Sequence, residues 1–183
     1  MANRSPYTLA LVLLFAAGCV SAPPVEIHPR FVDLCPKVVH VSPAKNESFR
    51  TDLETFRPEA RLQQILTGGN SINVLTVFHD AARRSVENRG YRLQEESGGA
   101  KNGELRLSIE DWREAPSSGA SEILVSFRLA LVLSDSGETL YSIRIHHRIA
   151  SSGSSRRILM PIEIRREIGK AVEKGLSFLP VCN

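Results

Sequence analysis

The sequence predicts an α+β domain, an α/β sandwich in which two helices pack on one face of a mixed, mainly antiparallel sheet. Three observations carry this. Residues 105–149 alternate apolar and polar side chains with the period of a strand. Residues 71–89 and 161–179 repeat their apolar side chains with the period of a helix. The resulting order, β-α-β-β-β-β-α, joins one β-α-β crossover to an antiparallel meander, so both helices fall on the same side.

Taken in order, Lys37-Val38-Val39-His40-Val41 is a β-branched run ended by Ser42-Pro43, hence a strand. Residues 44–70 are charged and weakly periodic, with Leu53, Phe56, Leu62, Ile65 and Leu66 enough for a helical turn or two. A connection of that length belongs to a segment with structure of its own or with a partner to meet. Ser71 is the expected N-cap of a helix to Arg89 that buries Val74, Leu75, Phe78, Ala81, Ala82 and Val86, and Gly90 stops it. Tyr91–Glu95 is a short strand. Leu105, Leu107 and Ile109 share one face of the next, which ends at Asp111-Trp112. Ile123, Val125, Phe127, Leu129, Leu131 and Leu133 share a face of the third, and Leu124, Ala130 and Val132 suggest partial cover on the other side. Ser134–Gly137 turns the chain into Leu140–Ile149. The last helix starts at Pro161, suited to a first turn, and Pro180 stops it.

The N-terminus is of another kind. One cation, Arg4, precedes an apolar run from Tyr7 to Ala17, too short for a bilayer-spanning helix but suited to a secretory leader. The ending Leu14-Phe15-Ala16-Ala17-Gly18-Cys19 resembles the lipobox of bacterial lipoproteins, with Ala16 where Leu is commoner. That resemblance implies cleavage after Gly18 and lipidation of Cys19 by diacylglycerol and an acyl chain such as palmitate. Val20 in place of Asp implies sorting to the outer membrane, with the domain facing the periplasm. An ordinary secretory signal with an incidental cysteine is the competing reading. The expected organisation is a signal peptide over 1–18, a lipidated cysteine and Pro-rich tether over 19–36, and one domain over 37–183. Seventeen extended tether residues would reach about 50 Å.

Removing the first 18 of 183 residues leaves 165, enough for one domain with a full core. Without Arg4 the chain carries 22 Lys and Arg against 20 Asp and Glu, a balance unlike that of a dedicated nucleic-acid binder. Arginine outnumbers lysine 18 to five, either for phosphate recognition or as a compositional bias on solvated faces. With Cys19 lipidated, Cys35 and Cys182 remain as a candidate disulfide in an oxidising compartment. Two free buried thiols are the alternative.

No nucleophile elbow, P-loop, His-Glu-x-x-His or Cys-x-x-Cys motif is present. His146 and His147 are neighbours on a strand, so their rings point to opposite faces and cannot share a metal. His147 is expected to be a satisfied core or edge residue, and His146 to be exposed. His79 is expected on a solvated helix face, and Ser151–Ser155 in a flexible loop without a base. No catalytic residue, cofactor or metal is therefore expected. The candidate partner-contacting residues are Asn46, Arg50, Arg57 and Arg61 in the long segment, Trp112 at a strand end, and Arg156 and Arg157 in the last loop.

The stretches Val41–Ser48, Arg89-Gly90-Tyr91, Leu107–Trp112 and Asp135–Tyr141 resemble an envelope-lipoprotein group with a small α/β domain similar to the TolB N-terminal domain. That group includes auxiliary lipoproteins of ABC transport systems, curli-secretion lipoproteins and outer-membrane activators of penicillin-binding proteins. The resemblance spans about residues 37–179, and the 44–70 segment departs from it. It implies a non-enzymatic accessory lipoprotein of a transport or secretion system, joined to the membrane by its anchor and to an envelope complex, with copies of itself as a further candidate partner. Activation of cell-wall synthases is the alternative, and an envelope hydrolase the reading from another class. The anchor is directly testable: Cys19→Ser should move the protein from the membrane to the soluble fraction and abolish labelling by radioactive palmitate, whereas retained labelling would remove Cys19 from this role.

Overall fold

The computed structural model of the protein describes residues 24–57, 71–96, 102–116, 121–150 and 159–182. The fold begins earlier than the tether reading placed it. Val25–Ile27 forms β1, paired antiparallel with a later strand in the register Val25–Ile143 and Ile27–Tyr141. One helical turn, α1 (Phe31–Leu34), follows and buries Phe31 in the core. Residues 25–36 are therefore part of the domain. Three strand residues among prolines are too few to show a period, and their partner lies more than a hundred residues away.

β2 (Val38–Val41) is the expected first strand, and β3 (Lys45–Asn46) continues in its direction after a break at Ser42-Pro43-Ala44. The 44–57 stretch is built into the fold. A 3₁₀ turn at Leu53–Thr55 buries Leu53, and the adjacent Phe56 is fully buried as well. Phe56 bridges Ile72, so the two ends of the connection meet; residues 58–70 lie outside the described residues.

α2 (Val74–Asn88) buries Val74, Val77, Phe78, Ala81, Ala82 and Val86. Its N-cap is Asn73, not Ser71: the Asn73 Oδ1 accepts from Thr76 N at 2.9 Å. Gly90 follows at φ +86°, the left-handed conformation that ends the helix. The remaining strands are β4 (Arg92–Gln94), β5 (Gly103–Pro116), β6 (Ser121–Leu133) and β7 (Thr139–Ala150). α3 (Pro161–Leu176) starts with proline in its first turn, and the Glu163 Oε2 accepts from Met160 N at 2.9 Å. The helix stops at Leu176, short of Pro180, yet Leu179 beyond it remains buried.

The sheet order is β1-β7-β6-β5-β2-β4, with β3 pairing β5 beyond β2. β2 is parallel to both β4 and β5; β5, β6 and β7 are antiparallel. The fold is thus the expected α+β arrangement, with α2 and α3 packed together over the sheet. One irregularity matters. A bulge between Ile109 and Asp111 changes the phase of β5, so that Ile109 lies opposite Phe127 and Trp112 opposite Val125. Without it, strict alternation would turn Trp112 to the face opposite that of Ile109.

The helical face is closely fitted. Phe78 meets Phe127 edge-on at 4.9 Å between ring centroids. The Tyr141 hydroxyl donates to Gly175 O at 2.5 Å, and a Cβ at Gly175 would collide with Ile145 and Leu129. A glycine costs a helix about 1 kcal/mol relative to alanine, whereas overpacking costs about 1–3 kcal/mol, so close approach of α3 to β7 outweighs propensity here.

A clasp closes the domain. Cys35 and Cys182 form a disulfide with Cα atoms 5.8 Å apart and a sequence separation of 147. Beside it, Tyr91 Oη donates to Pro180 O at 2.5 Å, and Arg89 Nη2 donates to Leu179 O. Burial pushes the Tyr91 phenol up to about 12, only partly opposed by Arg89, so it stays protonated as a donor. Replacing both cysteines by serine should lower the urea-unfolding free energy by about 4 kcal/mol, as expected for cross-linking so long a loop; an unchanged midpoint and slope would show that the clasp adds nothing.

His147 reports on the helix–sheet seam. It is half-buried on β7 and faces Glu167, Lys170 and Lys174 of α3. Its Nε2 is buried, 3.8 Å from the Glu167 carboxylate and without a hydrogen bond. Burial lowers its pKa; the Glu167 charge opposes that shift, and Lys174 and Lys170 add to it. The unfolded chain therefore takes up a proton near pH 6.5 that the folded protein refuses, and stability must fall as pH drops below that value. A His147→Gln variant should lose less stability than wild type between pH 7 and pH 5, measured by urea unfolding; parallel losses would exclude this group as the cause.

Candidate functional site

The most ordered projection lies between β3 and the 3₁₀ turn. Glu47 N donates to Ile109 O at 2.9 Å, which carries the pairing to β5 one residue past β3. The chain then turns around Asn46. Its Oδ1 accepts from Ser48 N at 3.1 Å and Ser48 Oγ at 2.6 Å, while its Nδ2 donates to Arg50 O at 2.6 Å. A short polar side chain bonding to the backbone two and four residues on is the usual device for pinning such a turn.

Arg50 secures the other end. Its guanidinium pairs with Asp52 at 2.6 Å and with Glu114 of β5, and lies over the Phe56 ring at 4.7 Å. A cation over an aromatic face adds attraction to the ion pairs. The hydrogen bond from Arg50 holds the Asp52 carboxyl below its ordinary pKa, against the smaller opposing effect of burial. Phe56 in turn meets Trp112 edge-on at 5.2 Å and 74°. Trp112 is 4% exposed. It is a core plug beneath the turn, and its Nε1 is buried without a partner.

The structure thus brings together Asn46, Arg50 and Trp112, but as supports. Arg57 is exposed beside them. Arg61, Arg156 and Arg157 lie outside the described residues, as do Cys19 and Ser151–Ser155. What the supports present is Phe49, at the tip of the turn and wholly exposed at 105% relative accessibility. Sequence reasoning missed it. The available signal was a large aromatic between Ser48 and Arg50 that no helical or strand period could take into the core.

Elsewhere, polar groups are matched internally. The sheet face away from the helices carries Arg106, Arg113, Arg128, Arg144 and Arg148. They pair with Glu104, Asp111, Glu110 (twice) and Glu122 at 2.6–3.0 Å. Burial works to raise the Glu110 pKa, but Arg144 and Arg128 together hold it below the usual carboxylate range. On the same face Ser126 and Val132 are buried, whereas Leu124, expected under the same cover, is exposed. His146 is exposed, as expected. His79 is not solvated: it is half-buried, its Nε2 is 3.1 Å from Val41 O, and its Nδ1 is 3.7 Å from Asp80. The helix–sheet contact at β2 draws it inward. Among the described residues, no group of three or more His, Cys, Asp or Glu is placed to hold a metal ion, and no helix is long and apolar enough to cross a membrane.

No family model matches the chain, and no curated protein is significantly similar to it. Solved structures are. A PelC dodecamer from Paraburkholderia phytofirmans is 13% identical over 86% of this chain and 93% of its own, with a TM-score of 0.51; a crystal of a PelC variant from the same organism reaches 0.55. Protein XCC0632 from Xanthomonas campestris is 12% identical over 85% of this chain and 92% of its own, with a TM-score of 0.51. These likenesses establish a shared fold.

Proposed function

We propose that the protein is a lipid-anchored interaction module of the bacterial envelope, an accessory lipoprotein subunit of a transport or secretion system. Cys19 holds it on the periplasmic side of the outer membrane, and Phe49 meets a protein partner. The observation that carries this reading is Phe49 itself. A fully exposed phenylalanine on a turn fixed by side-chain hydrogen bonds offers a large apolar ring on a backbone with little entropy left to lose, which suits an interface anchor. Exposed Glu47 lies two residues before Phe49, while the Asp52 and Glu114 carboxylates are taken up by Arg50; a protein is the partner in this reading.

The anchoring half of the reading rests on the lipobox-like stretch, and β1 sharpens it. From Cys19 to Val25 the chain can span at most about 20 Å, less than half the reach of the tether expected from the sequence, so the domain works close to its membrane. The reading is non-enzymatic, in keeping with the resemblance to the group with TolB N-terminal-like domains. Assembly with copies of itself is a second reading, favoured by the dodecamers that PelC forms with this fold.

A Phe49→Ala variant should fold like wild type and lose crosslinking to its envelope partner by more than tenfold, as expected for an anchor contributing about 2 kcal/mol, while Thr51→Ala should not. An unchanged crosslinking pattern for Phe49→Ala would exclude the turn as the contact. Light scattering of the purified lipoprotein decides the second reading, since a monomer mass excludes self-assembly.

A further inference from the structure

The arginines of the open sheet face are neutralised by carboxylates, but not all cations are. Among the described residues several cations are in no ion pair with a described carboxylate, and Lys37, Arg89 and Arg92 are three of them. All three line one cavity of about 260 Å³ beside the clasp, together with Gly90, Tyr91 and Cys182. Lys37 precedes β2 and Arg92 opens β4, and the backbone bond from Arg92 N to Lys37 O holds them side by side at 3.0 Å. Arg89 stands at the C-terminal end of α2, where its charge offsets the partial negative charge of the helix carbonyls. Its Nη2 is used by Leu179 O, and its Nε is buried with no hydrogen-bond partner. Lys37 and Arg92 are exposed, and among the described residues no side-chain hydrogen bond ties either of them down.

The contrast with the neighbouring cavity, about 200 Å³ between β2, β4 and α2, is instructive. There Arg83 is paired with Glu95 at 2.9 Å, and the rings of His40 and His79 are each within hydrogen-bond reach of a backbone carbonyl oxygen. That cavity is satisfied. The one at the clasp has three positive groups and, among its described lining residues, no carboxylate, an arrangement suited to an anion.

We propose that the Lys37–Arg89–Arg92 cavity binds a phosphate group. Two guanidinium groups and an ammonium match the several oxygens and the dianionic charge of a phosphomonoester better than the single charge of a carboxylate. The space beside Gly90 is open, since a Cβ there would meet nothing within 4 Å. The phosphate belongs either to a lipid headgroup or to a soluble molecule, and the chemistry of the pocket is common to both. The inference does not depend on the lipid anchor.

The test uses the full chain carrying Cys19→Ser, which keeps every described residue. Inorganic phosphate, titrated at constant ionic strength against sodium chloride and followed by amide NMR, should give saturable shifts at Lys37, Gly90 and Tyr91. The double variant Lys37→Glu, Arg92→Glu should bind at least about tenfold more weakly with an unchanged far-ultraviolet spectrum. Co-sedimentation with phosphatidylcholine vesicles, with and without phosphatidic acid, distinguishes the sources. Binding that needs phosphatidic acid and both cations assigns the pocket to a lipid phosphate; phosphate binding without vesicle binding assigns it to a soluble one. Absence of saturable shifts, or shifts of equal size in the double variant, overturns the site. Failure here would leave the anchoring reading intact, since Cys19 is absent from the tested chain.

Discussion

The fold depends on the apolar face that β6 shares with its two neighbours. Ile123, Val125, Phe127, Leu129 and Leu131 are each at most 3% exposed, and β6 is paired along nearly its whole length with β5 on one side and β7 on the other. α2 meets this face through Phe78 on Phe127, and α3 through Gly175 on Leu129 and Ile145. Burial of that surface is the main term holding helices to sheet. The opposite face, with its paired arginines and glutamates, contributes little by comparison, since exposed ion pairs are each worth about 0.2–1 kcal/mol. Its role is to keep that face of an open sheet soluble.

A second constraint concerns the parallel side of the sheet. β2, β3 and β4 are short, and strands of two to four residues have few ladder bonds of their own. They are held from outside: by the 3₁₀ turn and Phe56 at one end, and by the disulfide with Tyr91 and Arg89 at the other. The candidate interaction turn and the cationic cavity lie on this supported side. Both use side chains that first brace a weak edge and then leave one group, Phe49 or the unpaired cations, directed outward.

Much of this was legible in advance, and the failures have physical causes. The long strands were readable because β6 and β7 keep period two for more than ten residues, and α2 and α3 because each carries a full apolar stripe. β1 was not, because Val25-Glu26-Ile27 gains its stability from Ile143 and Tyr141, far away in sequence. Trp112 was placed at a strand end, but its inward turn depends on a bulge that alternation alone does not announce. Asn73 displaced Ser71 as cap because both residue types suit the position and only the start of the α-helix decides. The site divided in the same way. Asn46, Arg50 and Trp112 stood out as polar or aromatic residues in an irregular stretch, whereas their supporting role follows from distances to Glu114 and Phe56 that no spacing reveals.

The clasp also governs how the molecule answers to tension. A pull on the chain ahead of Val25 would first meet β1, a three-residue ladder on the sheet edge, and then the single turn of α1. Neither contributes to the β5–β6–β7 ladder, and only Phe31 of α1 reaches into the core. At Cys35 the pull divides, because the bond to Cys182 passes part of it to the far end of the chain. Unravelling can then continue only if β2 and the segment after α3 yield together, and Arg89 and Tyr91 fasten that segment to the end of α2. The first dozen residues of the domain thus act as a yielding spring, and the cystine as the stop that shields the core from a pull on the chain ahead of it.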